Sequence, residues 1–415
     1  MLGILPYMKI WLKYILGCAL GIVLSIILQS SNPSAIAVVQ YLSDFSLSAG
    51  RYALLPLLFF SMTVAVYEIR ESKALLRTAF NCVIIALITT AAFTVLGVLS
   101  VLVFQPPRIP ISVEEATTVY TLSIPENIMK LFPVSNFSSF LEGSYLLPLY
   151  VLAGFAGAGC ASEKAGAKPT LTLFDSLSRV SYAVISFFID MLAVGLIAVS
   201  CTWMMNFPSI WRNSSLVHLI LLVGADAAAI ILIIYPLLLR LIFRERHPYR
   251  VLFASTASII TAFFSGDYNL TLGVSIRHAK ESLGIHSRIS SVCLPVFSTF
   301  ARGGAAMVLS ISFVVISQSY SDMKIWNELP WIMSMAFVLS FLLGSFTKDG
   351  PIIALAVMCS LYGRGFDTSY LIIKPAAFFL CSAAAAIDTV TSFFGTYIIA
   401  VHENLVQHKE LRFYI

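Results

Sequence analysis

Two residues stand out as groups that could do chemistry where a membrane would make them costly. Arg302 lies 14 residues beyond Arg288, and Asp388 lies 14 residues beyond Lys374. If each stretch is helical, a rise of ~1.5 Å per residue puts both about 21 Å in, within a hydrocarbon layer of ~30 Å. A charge at that depth costs at least roughly 2.5–3.5 kcal/mol on insertion scales, so each is expected to face a partner or water. The opposite signs suggest that they pair with each other, either as a static ion pair or as a fixed cation with its counterion or proton acceptor. A second group comprises polar strings that interrupt apolar runs, Ser265-Gly266-Asp267-Tyr268-Asn269 and Ser345-Phe346-Thr347-Lys348-Asp349-Gly350-Pro351. Lys348 and Asp349 suit solute contact or an exposed gate. Asp190 and Asp226 also interrupt apolar spans and read as hydrogen-bonded structural acids, while His218, His247 and His402 read as interfacial histidines near span ends.

The elements that must position these groups follow from composition. Of 415 residues, 59% are hydrophobic and 11% charged, with mean hydropathy +0.89. A soluble chain carries about 25% charged residues, so a water-soluble enzyme is excluded. No charge occurs between Lys13 and Asp44, Arg51 and Glu68, Arg77 and Arg108, or Glu142 and Glu163, which predicts a polytopic all-α membrane protein. Ordinary spans are expected near 10–29, 51–67, 80–104, 143–161, 181–205 and 214–240. The Pro-rich connection 105–142 reads as an exposed outer loop.

The second half differs, because 251–266 with 268–276, and 329–347 with 350–363, are too short to cross singly. They read as two re-entrant helical hairpins. Non-helical backbone at membrane depth survives only around protein or a polar cavity, and a matched pair of broken segments points to a transporter's binding site. The formal net charge is +5. With a cytoplasmic N-terminus, 17 Lys and Arg fall on inner segments and seven, Arg51 among them, on outer ones. That asymmetry places both termini inside, in a multi-pass protein of the cell (inner) membrane, and reads the charge as topology rather than nucleic-acid binding.

The seven cysteines form no CxxC and no Cys/His cluster at metal spacing, so disulfides and structural zinc are not expected. Gly17 and Gly21 form a GxxxG pair suited to helix packing on a retained first helix. HENLV at 402–406 lacks the second His of HExxH, and no GxSxG or P-loop is present; catalytic residues and a bound metal are therefore not expected.

Several strings, in order, resemble the dicarboxylate/amino acid:cation symporters, a family that includes bacterial and archaeal glutamate and aspartate transporters. They are LLPLLFFSMTVAVYEIRESKALLR, IPENIMKLF, TAFFSGDYNLTLGVSIRHAKESLGI, CLPVFSTFARGGAAM and AIDTVTSFFGTYIIAVHENL. The resemblance implies eight transmembrane helices plus two re-entrant hairpins, in a homotrimer embedded in the bilayer. It divides the chain into 1–79 (scaffold helices 1 and 2), 80–142 (transport-domain helix 3 and outer loop), 143–213 (scaffold helices 4 and 5) and 214–415 (transport-domain helix 6, hairpin 1, helix 7, hairpin 2 and helix 8). The transport domain would slide as an elevator, with a small-molecule solute held between the hairpin tips. No cofactor is implied beyond sodium or a proton as coupling ion.

Carried over residue by residue, the resemblance departs at the site. The family's serine-rich first tip is matched by Asp267, Tyr268 and Asn269, and its sodium-binding N-M-D-G-T by Ala301, Arg302, Gly303, Gly304 and Ala305. Cys381 stands for the Asp that holds a substrate amino group and Ala384 for the Arg that holds a side-chain carboxylate. Asp388 stands for an Asn and Ser392 for a sodium-binding Asp, while Thr89 and Thr90 keep a third-span hydroxyl pair. The expected solute contacts are thus Asp267, Tyr268, Asn269, Arg302, Lys348, Asp349, Cys381 and Asp388. The expected ion-coupling set is Thr89, Thr90, Arg302, Asp388 and Ser392. These departures predict altered coupling, proton-driven or sodium-independent; a sodium symporter of the usual type, an anion channel and a non-transporting sensor are the competing readings.

Overall fold

The computed structural model describes residues 9–28, 33–71, 74–109, 146–163, 166–211, 214–320, 325–343, 349–407, 409 and 414. Helices are the regular elements among them: α1 (Ile10–Leu28), α2 (Pro33–Glu71), α3 (Leu75–Phe104), α4 (Leu147–Glu163), α5 (Lys168–Met205) and α6 (Ser214–Ala229). A π-helical turn, Ile230–Ile234, leads into α7 (Tyr235–Leu241). Then come α8 (Tyr249–Ser265), α9 (Tyr268–Glu281), α10 (Ser287–Phe300), α11 (Gly303–Tyr320), α12 (Leu329–Leu343), α13 (Gly350–Tyr362) and α14 (Ala377–His402). Seven helical stretches among the described residues are long and apolar enough to cross a membrane. The α4 helix, at 17 residues, begins where description resumes after the Pro-rich connection 105–142, most of which lies outside the described residues, as all of 110–145 does.

Two packed groups emerge. α2 and α5 pack along their lengths, with α1 on α5 and α4 on α2; α3, α8, α10, α11 and α14 pack chiefly on one another. The expected small-residue face on α1 is used in the first group. A Cβ added at Gly17 would sit 2.4 Å from the Ala193 carbonyl, and one at Gly21 2.3 Å from that of Ile197, so α1 and α5 touch backbone to backbone.

The two broken stretches each form a pair of helices packed side by side, α8 on α9 and α12 on α13. The α8–α9 turn is tight because Gly266, at φ +61°, ends α8 in the left-handed region and Asp267 caps α9. The base of this hairpin is stitched to the chain's C-terminal segment, with His286 N–H donating to Leu405 O (3.1 Å) and Gln407 N–H to Gly284 O (3.0 Å). At the base of the second hairpin, Glu328 accepts from Tyr362 Oη and, at 2.7 Å, from Arg364 Nη1. The tip residues 344–348 lie outside the described residues, Lys348 among them.

Sequence reading placed two helices too short. It began the second span at 51 and the fifth at 181, whereas α2 starts at Pro33 and α5 at Lys168. Arg51 is therefore not in an outer connection but inside α2, for a reason given by its partner. The π turn before Pro236 also has a local cause: proline offers no N–H to Leu232 O, and the Tyr249 hydroxyl approaches that carbonyl at 3.4 Å.

Candidate functional site

The stretch 287–320 is one apolar segment in sequence but two helices in space. α10 ends at Phe300, Ala301 leaves helical geometry at φ −82°, ψ 85°, and α11 starts at Gly303. A helix break leaves carbonyls without N–H partners on one side and N–H groups without carbonyls on the other, partially negative and positive respectively. Both ends are met by charge. Arg302 Nη2 donates to Ser298 O at 2.6 Å, at the carbonyl end of α10. Asp388, reaching from α14, accepts the Gly304 N–H at 2.6 Å on Oδ1, at the amide end of α11.

Each of these side chains is at least 95% buried. No ion pair joins them, which corrects the expected direct Arg302–Asp388 contact: each takes the helix end of opposite sign. They remain electrostatic neighbours. The Arg302 guanidinium lies over the ring of Tyr268, 5.6 Å from its centroid, and its Nε has no hydrogen-bond partner. Tyr150 of α4 reaches the same place, its hydroxyl 2.9 Å from Ser298 Oγ. Gly304 lets α14 approach this closely, since a Cβ there would sit 2.4 Å from the Ala384 carbonyl.

Asp267 has a different role from that expected. Its Oδ1 accepts from Asn269 N–H (2.9 Å) and Leu270 N–H (3.5 Å), capping α9. Its Oδ2 accepts from Arg51 Nε at 2.6 Å, with Nη2 at 2.5 Å. The carboxylate is 99% buried and both oxygens are engaged, so it fastens the hairpin tip to α2. Farther along α9, Arg277 Nη1 donates to Ser186 O at 2.9 Å and lies 3.3 Å from Asp190 of α5, while the Tyr182 hydroxyl bonds Glu281. Asp190, expected as a hydrogen-bonded acid, is thus part of an ion pair.

A polar cavity of about 360 Å³ opens beside this tip. Ser265 and Gly266 of the first hairpin line it, with Asp349 at the start of α13 and Cys381 and Ser382 of α14. Asp44 of α2, Thr202 and Trp203 of α5 and Asn206 just beyond its end close the other side, and Trp203 Nε1 donates to Ser382 Oγ at 2.8 Å. Asp349 and Cys381 therefore line a solute-sized space. Tyr268, Arg302 and Asp388 form a buried cluster, and Asn269 is 94% buried on α9.

The expected ion-coupling hydroxyls lie in the helices near the break. Thr89 donates to Ile85 O, Thr90 to Ala86 O and Ser392 to Thr389 O. The Thr89 carbonyl faces the Gly303 position, 3.4 Å from where a Cβ would be. Among the described residues no group of three or more His, Cys, Asp or Glu side chains could hold a metal. Sequence reasoning missed Arg51, Tyr150, Ser298 and Trp203. Of these, Arg51 carried a signal, as a charge flanked by apolar residues; the other three are ordinary span residues whose partners lie more than 140 positions away.

With this geometry in view, comparison with known proteins is decisive. The sodium:dicarboxylate symporter family profile matches residues 10–401. The chain belongs to that family. Similar proteins include the proton/glutamate-aspartate symporter of Escherichia coli, 23% identical over 348 residues covering 79% of this chain and 77% of the relative. The serine/threonine transporter of Streptococcus thermophilus is 24% identical over 372 residues, covering 86% and 87%. A proton/sodium-glutamate symport protein of Bacillus caldotenax is 21% identical over 338 residues, covering 77% of each. This symporter family member is a multi-pass membrane protein built for transport and not for catalysis.

Proposed function

We propose that the protein carries a small organic solute, an amino acid or a dicarboxylate, across the cell membrane by secondary active transport with a proton, or no sodium, as its coupling requirement. Its eight spans include α4, its two hairpins are re-entrant, and both termini are cytoplasmic. The group α1, α2, α4 and α5 serves as scaffold within a homotrimer. The group α3, α6 to α14 is the moving domain, which slides as an elevator with solute in the cavity between the hairpin tips and α14.

The observation that carries the coupling reading is the pair of helix ends at the α10–α11 break. The family resemblance implies sodium held by oxygen-bearing side chains at this place. Here the carbonyl end of α10 already has a cation, Arg302 on Ser298 O, and the amide end of α11 has an anion, Asp388 on Gly304 N–H. A tethered guanidinium cannot leave with the solute, so it does the electrostatic work of an ion without storing gradient energy. Asp388, at the edge of that arrangement, is the candidate proton acceptor. Ala384, at the position of the family's carboxylate-binding Arg, favours solutes without a second carboxylate held there.

The test is uptake by purified protein in sealed vesicles, with amino acids and dicarboxylates screened first by thermal shift. An inward proton gradient in sodium-free buffer should drive accumulation. Accumulation only when sodium is supplied outside would return the protein to the sodium-coupled class.

A further inference from the structure

We propose that Asp226 of α6 is a proton-binding site at mid-membrane, separate from the Arg302–Asp388 cluster and holding an exchangeable proton in this conformation. Asp226 lies 12 residues after Ser214 within the 28-residue apolar stretch Ser214–Leu241, about 18 Å along a helix and so near the middle of a span. It is 91% buried, and its Oδ2 has no hydrogen-bond partner.

The described cations on the elements packed against it are engaged elsewhere. The elements packed on α6 are the Pro208–Trp211 turn, the π turn, α3, α11 and α14. Arg77 of α3 is 2.7 Å from His402 of α14, and His218 of α6 itself bonds Ser214 O at 2.7 Å. Asp388 of α14 is held by Gly304. The remaining titratable groups on these helices are Cys82 of α3, Tyr320 of α11, and Cys381 and Tyr397 of α14, none of them basic. Among the described residues no Lys, Arg or His forms an ion pair with Asp226. A lone carboxylate in such a setting is far costlier than a carboxylic acid.

Ser100 of α3 reaches Asp226 with its hydroxyl, and the same hydroxyl lies 3.0 Å from Gly97 O. A hydroxyl has a single hydrogen to give, so both contacts are satisfied together only if Asp226 brings a proton of its own.

The proposal does not rest on solute uptake, so failure of the transport reading leaves it testable. The probe is infrared spectroscopy of the intact protein in lipid discs at neutral pH, reading the C=O stretch of protonated carboxyls. Wild type minus Asp226→Asn should show one carboxyl band, and transfer to D2O should shift it as the proton exchanges for deuterium. Ser100→Ala keeps Asp226 and removes its hydrogen-bond partner, so the same band should move to higher frequency; this variant serves if Asp226→Asn does not fold. A band absent from wild type, unchanged by both substitutions, or unmoved by D2O would overturn the proposal.

Discussion

The buried charges of this protein are satisfied in two ways, and the contrast separates what is fixed from what can part. At the α10–α11 break, Arg302 and Asp388 form no direct ion pair but bind helix ends, a carbonyl and an amide of backbone that belongs to the same packed group. At the first hairpin tip, Asp267 binds a side chain from the other group, Arg51 of α2. The first arrangement travels with its surroundings if the groups slide past one another. The second must break. Arg277 and Asp190 repeat the second type with the signs exchanged, the base now on the hairpin and the acid on α5. A displacement along α9 that brought one basic residue toward the other, or acid toward acid, would be repulsive, so the two pairs together favour this register of the hairpin on α2 and α5.

The largest expected effect comes from breaking the first arrangement. Arg302→Met should cost roughly 3–5 kcal/mol, since it strips a buried cation and leaves Asp388 charged in the interior. Thermal unfolding in detergent reads this, and a loss below about 1 kcal/mol would mean that the guanidinium is not a structural charge. Arg51→Ala follows at about 2 kcal/mol, less because Arg51 is 24% exposed and Asp267 keeps its two backbone donors. This substitution should also speed solute exchange if the pair parts during the cycle; slower exchange in a folded variant would count against that. Asp388→Asn keeps an oxygen for the Gly304 N–H and should cost only about 1 kcal/mol. Gradient-driven accumulation should nevertheless vanish while exchange persists, and an unchanged response to the proton gradient would remove Asp388 from coupling. Asp190→Asn comes last, at roughly 0.5 kcal/mol or less, because this pair is 3.3 Å apart and its acid 46% exposed.

Much of this was legible before any coordinates. Apolar run lengths marked the span limits at Ile10, Phe104 and Ser214, and the two interrupted stretches became paired helices with Gly266–Asp267 at one tip. What was hidden shares one cause: partners supplied by backbone or by distant chain carry no sequence signal. Opposite charges at matched depth suggested a direct pair, but a helix end is as good a partner, and nothing in ARGGA says that α10 stops at Phe300. Ser43 to Gly50 fell between the expected spans 10–29 and 51–67. In the fold it is mid-helix, where Asp44 faces the polar cavity and Arg51 beyond it meets a hairpin tip 216 residues away. Asp267 looked like a solute ligand because a polar tip in an apolar stretch is costly; the cost is met by α9's own amides and by Arg51.

The central claim, that a tethered guanidinium stands where an ion would bind, is tested most directly without transport. Sodium titrated into the purified wild-type protein, with potassium or choline holding ionic strength constant, should leave the unfolding temperature unchanged. A saturating, sodium-specific rise would show an ion bound to the folded state and would contradict the account.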